Sequence, residues 1–433
     1  MNFLTTFESS FQTYLTSFTP VTEGQLPMTF FEFARNGLRS KSINLFSNDE
    51  YETIIARFKG DKATANLDDP VVRHSRSIIF DQKTHATLMI APNKSFEYED
   101  FKTRHSTMEG VTVEDFPLGP MINVYYHPSK DCWQMATRSY VGANNSFRST
   151  KSFRVFFEEA LLKTTGLTFA EFTSGFQKNH TFSFVLMHPD YFDVTRYAEP
   201  SLVIVEVRDR DHDHGIVPLE DVETFTNSAG WKIKYPKYHT FGSWEAIDEF
   251  IKTQPSQEQG LVLRFQNERS KIRNPEFLRA QGLLGNHTKM IDIFAENLRK
   301  QTVHEFLEIF PEKMTEFHHF SEIYRKMITE AHSYYIAHHT RPVGQKIIFS
   351  EIPRPLQTAV WNIHKQYMES GISRETRRQV KPIVVENYFK NLTAVELGNV
   401  LSYWDSYLTE NPIPTIPKVK HVCKPRLVTA TTQ

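Results

Sequence analysis

The chain has 433 residues, enough to bury a large core in two or three domains, and 39% of them are hydrophobic, as in an ordinary soluble protein. Lys and Arg total 50 against 51 Asp and Glu, which excludes a global basic field as the means of attracting nucleic acid and leaves only a local patch for that role. Two cysteines, Cys132 and Cys423, exclude a disulfide framework or a cysteine-rich zinc site. No run approaches the roughly 18 to 20 apolar residues of a membrane span, so no membrane partner is expected and the cytoplasm is the expected compartment.

Phe3, Leu4, Phe7, Phe11, Tyr14, Leu15 and Phe18 recur at helical spacing. This predicts an amphipathic helix that opens a small helical or mixed N-terminal subdomain over residues 1–69. Asp69-Pro70 punctuates the chain, and Ser77 to Phe80 and Ala86 to Ala91 read as two strands. Arg76 stands at the head of the first; on spacing alone it is equally a solvated arginine at a strand edge.

Met121 to Tyr126 and Cys132 to Ser139 alternate as strands do, and Pro128-Ser129-Lys130-Asp131 supplies turn chemistry between them, which predicts a β-hairpin. Gly119 opens it and Thr137-Arg138 closes it. Phe153, Phe156, Phe157, Ala160 and Leu161 mark a helix that Gly166 caps. Thr181 to Met187 and Leu202 to Val207 are strands again. Between Asp209 and Glu220 the acidic spacing partly matches a calcium loop, but Gly215 falls one place late, so a solvated turn is the expected structure.

Gly260 to Arg264 and the segment from Ser270 read as a further strand pair, in which alternation puts Lys271 and Arg273 on one face. There they can hold phosphates as charge-assisted donors; the alternative is a merely exposed strand face. Beyond Gly285-Asn286 strand signals nearly cease, apart from Ile347 to Phe349. Helical stripes run through Phe317, Phe320, Tyr324, Met327, Ile328, Ala331 and Tyr335, then Leu356, Val360, Ile363 and Tyr367. A helical C-terminal domain over 287–410 is expected. It is followed by a basic tail over 411–433, where Lys418, Lys420, Lys424 and Arg426 stand without an acid and offer contacts to RNA or a protein partner.

In order and spacing these motifs resemble the bacteriophage-type RNA ligase (tRNA repair ligase) family of covalent nucleotidyltransferases, with its relatives in large DNA viruses. The resemblance implies an α+β fold: a nucleotidyltransferase (ATP-grasp-like ligase) core of antiparallel sheets with flanking helices over 70–286, plus the helical C-terminal domain. It also allows a virion location and a viral or cellular protein partner for the tail. In the family a Lys-x-Asp-Gly signature begins the hairpin and its lysine takes up AMP; the aligned residues here are Phe116-Pro117-Leu118-Gly119. Val185 stands where the family keeps a glutamate, Gln259 where an acid precedes glycine, and Ser77 where a glycine follows the arginine. Arg76, Thr137, Arg138, Lys271 and Arg273 match the family's nucleotide- and phosphate-binding positions.

The expectation is therefore an RNA ligase-like protein with a degenerate active site and no catalytic nucleophile, acting as a non-catalytic RNA- or nucleotide-binding module. The alternative is an active ATP-dependent RNA ligase that uses a displaced lysine, with Lys102 as candidate. Lys130 lies in the far turn of the hairpin, and Lys163 sits at a helix end that favours its charged form. ATP and magnesium are the cofactors the resemblance implies; no metal ligand is assigned.

Overall fold

The computed structural model describes residues 28–39, 41–59, 66–369 and 380–411, with Thr13, Thr16 and Ser17. The chain divides into two compact units at Thr288 and Lys289. The helical stripe expected from Phe3 to Phe18 is carried by residues outside the described ones.

The first unit begins with α1 (Phe30–Arg39), β1 (Ile43–Asn48) and β2 (Thr53–Phe58), followed by α2 (Pro70–His74), β3 (Ile78–Asp81) and β4 (Thr87–Ile90). These strands form one antiparallel sheet in the order β1-β2-β3-β4. The expected subdomain boundary at 69/70 therefore falls inside a sheet, since β2 pairs with β3 across it, Ile55 opposite Ile79. Asp69 caps α2 by accepting from the Val71 amide at 2.9 Å, and Pro70 occupies the first helical position, where a missing N–H costs nothing.

Next come α3 (Tyr98–Arg104), β5 (Thr112–Asp115), β6 (Met121–His127) and β7 (Cys132–Ala136). The predicted hairpin forms, with a 3-10 turn at Pro128–Lys130 and Asp131 in the left-handed region at φ 47°. Strand β7 stops at Ala136 rather than Ser139, because the Thr137 hydroxyl accepts from the Tyr140 amide at 3.1 Å and turns the chain.

Helix α4 (Phe153–Thr165) starts at the Ser152 cap and ends at Gly166 with φ 76°, as the spacing predicts. It precedes α5 (Phe169–Ser174), β8 (His180–Met187), β9 (Ser201–Asp209) and β10 (Gly215–Val217). The second antiparallel sheet runs β10-β9-β8-β6-β7. Strand alternation sends Phe182 and Phe184 to one face, where they meet Phe156 and Phe157 of α4 and Phe172 of α5. The opposite face carries Val185, Val203 and Val205 with Met121 and Met187.

Finally α6 (Leu219–Ser228), β11 (Tyr238–His239), α7 (Trp244–Lys252), β12 (Gly260–Phe265), β13 (Glu268–Arg273) and α8 (Pro275–Leu284) complete the unit. The third sheet, β11-β5-β12-β13, is antiparallel and buries Val113, Leu261 and Leu263 against Phe101 of α3 and Trp244, Ile247 and Ile251 of α7. The Asp209–Glu220 segment holds the hairpin turn between β9 and β10, then β10 itself and the start of α6. The Asp209 carboxylate is already engaged there by Asn179, the Asp211 amide and His212.

The second unit comprises α9 (Met290–Lys300), α10 (Val303–Ile309), α11 (Met314–Tyr335), α12 (Arg354–Glu369), α13 (Pro382–Asn391) and α14 (Ala394–Glu410), with no strand among the described residues. Phe317, Tyr324, Met327, Ala331 and Tyr335 are buried on α11, and Leu356, Val360 and Ile363 on α12, at the spacings read from the sequence. Ile347 to Phe349 is not a strand: Ile348 is exposed, and Phe349 begins a 3-10 turn. No described helix is long and apolar enough to cross a membrane. The basic tail beyond Asn411 lies outside the described residues. The fold class is α+β, antiparallel sheets with flanking helices and a helical C-terminal unit.

Candidate phosphate-binding site

Strand β13 builds one wall of a cavity of about 550 Å³, a volume in the usual range for a small-molecule site. Alternation directs Arg269, Lys271 and Arg273 to it, and the lining adds Arg76 before β3, Lys94, Arg104 at the end of α3, and Arg138 after the hairpin. The cavity thus collects seven cations and three carboxylates, Asp68, Glu97 and Asp100. Four of the five expected phosphate-binding residues meet here: Arg76, Arg138, Lys271 and Arg273. Thr137 does not join them; its hydroxyl donates to Asn145 at 3.2 Å and serves the turn instead.

Several of these cations lack a charge partner. Among the described residues, no carboxylate stands at ion-pairing distance from Arg76, Arg138 or Arg269, and the Nε of buried Arg269 has no hydrogen-bond partner. The nearest buried acid is committed elsewhere. Glu206 gives one oxygen to Arg208 at 2.7 Å and the other to Arg264 at 2.6 Å, and Arg264 in turn holds Glu114 at 2.8 Å. Burial pushes Glu206 up, but Arg208 and Arg264 outweigh it and hold the carboxyl down at about 2. Burial and Arg138 lower Arg76 to about 10; burial, Arg264 and Arg76 lower Arg269 to about 9. Guanidiniums resist deprotonation, so the shifts register charge crowding that an anion would relieve.

Phe116 follows β5 and donates its backbone N–H to the Gly260 carbonyl at 3.1 Å. The Lys271 ammonium lies 5.3 Å from the centroid of its ring. Two glycines allow this close threading. A Cβ on Gly119 would come 2.0 Å from the Leu186 carbonyl, and one on Gly260, at φ 135°, 2.1 Å from the Ile272 carbonyl. Val185 is enclosed by Val203 and Val205, and Gln259 is buried as a neutral amide.

The displaced lysines stand in other environments. Lys102 donates to Asp248 at 3.2 Å, a bond that raises its pKa and keeps it charged. Lys130 donates to the Glu50 carbonyl at 2.8 Å, and Lys163 faces Glu199 at 3.7 Å. None of the three lines the cavity.

A divalent cation does not fit this donor set. Asp68 is held by Arg104 at 2.5 Å and Glu97 acts on the Arg273 guanidinium, so exposed Asp100 is the single lining carboxylate left to a metal. Among the described residues, three potential ligands converge only at Glu159, His188 and Asp190, away from this cavity. There the Lys151 ammonium already bonds Glu159 at 3.0 Å and Asp190 at 3.1 Å, while the His188 Nδ1 accepts from the Asp190 amide. That acceptance puts the imidazole proton on the nitrogen facing Glu159, so neither the charge nor the ring favours a metal there.

Arg269, Lys94 and Arg104 were not anticipated as site residues. For Arg269 the signal was present, because Arg269, Lys271 and Arg273 share one strand face at a period of two; the strand simply begins earlier than Ser270.

No protein-family model and no curated protein matches the chain. Among solved structures it is similar to an archaeal ATP-dependent RNA ligase, at 13% identity and a TM-score of 0.37, over 88% of this chain and 79% of that one. It is also similar to a mutant of the Naegleria gruberi RNA ligase with ATP and manganese, at 12% identity and a TM-score of 0.34, over 44% of this chain. The chain spans 58% of that protein's length.

Proposed function

We propose that this chain is an RNA ligase-like protein whose cavity binds phosphate groups of RNA or a nucleotide without nucleotidyl transfer. The observation that carries this reading is the convergence of Arg76, Arg138, Lys271 and Arg273 on one cavity, with the Phe116 ring beside Lys271 where the resemblance expects an amine. Transfer through lysine needs a neutral amine in line with the α-phosphate. A phenyl ring supplies no electron pair for that attack. The cations, by contrast, suit phosphate oxygens, which accept charge-assisted bonds in fork geometry from arginine.

Equilibrium binding of a labelled single-stranded RNA over a salt series tests the proposal. Affinity falls steeply with salt, and the double variant Lys271→Ala, Arg273→Ala lowers it for unrelated sequences alike, because phosphate contacts position without specifying. The salt slope shrinks by about two, one for each phosphate contact removed. Unchanged affinity in a folded double variant removes β13 from the site and the proposal with it.

A further inference from the structure

The charge balance of the cavity carries a second step, which rests on the phosphate-binding reading above. A magnesium-nucleotide site divides the phosphate charge between protein cations and a metal ion that one or two carboxylates hold. Here the oxygen ligands of that division are reduced to one. Val185 sits in an aliphatic cluster, Gln259 is an amide, Asp68 is taken by Arg104, Glu97 acts on Arg273, and both oxygens of Glu206 are spent on arginines, which leaves exposed Asp100 as the single uncommitted carboxylate of the lining. The lining as a whole carries seven cations against three carboxylates. A divalent ion brought in on a phosphate chain would meet these cations with Asp100 alone to receive it.

The positions of the cations suit an extended anion. Arg269, Lys271 and Arg273 are spaced along one face of β13, while Arg76 and Arg138 come from other strand ends. Residues two apart on a strand lie about 6.6 Å from each other, so a single phosphate cannot neutralise the whole row. Burial and mutual repulsion depress Arg76 and Arg269, and a chain of linked phosphates would relieve both.

We infer that the cavity takes a metal-free polyphosphate chain, as a nucleoside di- or triphosphate, a polyphosphorylated RNA end or inorganic polyphosphate, and that divalent cations compete with the protein for it. Binding is electrostatic, grows with the number of linked phosphates, and weakens when magnesium cancels charge on the chain.

Titration calorimetry on the full chain tests this with orthophosphate, pyrophosphate, tripolyphosphate, ATP, and an oligonucleotide bearing a 5′-triphosphate or a 5′-hydroxyl. Each is measured in chelator and in excess magnesium. The expected result is binding in chelator that tightens from orthophosphate to tripolyphosphate and weakens by roughly tenfold or more in magnesium for the longer chains. Equal affinity for ATP and tripolyphosphate identifies the phosphate chain itself as the ligand. Tighter binding of the 5′-triphosphate oligonucleotide identifies an RNA end, and either result supports the inference.

Arg138 is exposed, so Arg138→Ala leaves the fold intact and loses about tenfold in chelator; Arg138→Lys recovers part of the loss. Binding that requires magnesium, or strengthens with it, overturns the inference and leaves phosphate binding standing. Absence of binding to every probe in both buffers overturns the inference and the phosphate-binding reading together.

Discussion

Lys271 holds its ammonium 5.3 Å from the centroid of the Phe116 ring. The contact joins the two positions where the resemblance expects the nucleophile and a phosphate-binding lysine, as a cation–π pair worth about 0.5 to 2 kcal/mol. Replacing the ring by an amine sets two ammonium groups together. Phe116→Lys is expected to lower stability by about 1 to 2 kcal/mol at neutral pH. A depressed folded pKa for the new lysine means that this cost is present at neutral pH and fades as pH rises through that value. Urea unfolding at pH 7 and pH 10 measures it; equal losses at both pH values would show that lost ring contacts, and not charge repulsion, set the cost.

The Glu206 carboxylate holds buried Arg208 and part-buried Arg264. Glu206→Gln removes the charge but keeps the shape, leaving Arg208 and Arg264 without their shared counter-ion. Breaking such a buried pair costs about 3 to 5 kcal/mol. Arg264 keeps Glu114 at 2.8 Å, so the lower end of that range is expected. A loss below about 1 kcal/mol in urea unfolding would show that water reaches the network and screens it.

His74 and His214 lie beside Arg208, and burial with that charge lowers each imidazole to about 4. The unfolded chain binds protons on them near the ordinary value of 6.5. Stability is therefore full above pH 6.5 and is lost as pH falls toward 4, by up to roughly 3 kcal/mol for each ring. His214 has φ 53°, a conformation that asparagine accepts. The variant His214→Asn should flatten the decline of melting temperature between pH 6.5 and pH 5. An unchanged slope would assign the acid sensitivity to other groups.

Most of the strands were legible because each buries one face or one apolar run, as in Thr181 to Met187 and Gly260 to Arg264. Strands β1 and β2 were not. β2 is buried on nearly every side chain from Thr53 to Phe58, which erases the alternation, and β1 is an edge strand with exposed Phe46 and Ser47. The site was legible where charge recurs at a period of two, as at Lys271 and Arg273. The network of Glu114, Glu206, Arg208 and Arg264 was not, because its members come from three strands that only the fold brings together. The resemblance places Thr137 with Arg138 at a phosphate position, while in the structure its hydroxyl donates to Asn145 and accepts from the Tyr140 amide. Nothing in the residue type distinguishes the two uses.

The measurement that bears most directly on the central claim is incubation of the purified protein with labelled ATP or GTP and magnesium or manganese, followed by denaturing electrophoresis. No covalent protein–nucleotide band is expected, because Phe116 carries no amine and Lys102 is kept charged by Asp248 at 3.2 Å. The control is Lys102→Ala. An acid-labile protein–AMP band in the native chain that disappears in that variant would contradict the account and establish a working ligase with a displaced nucleophile.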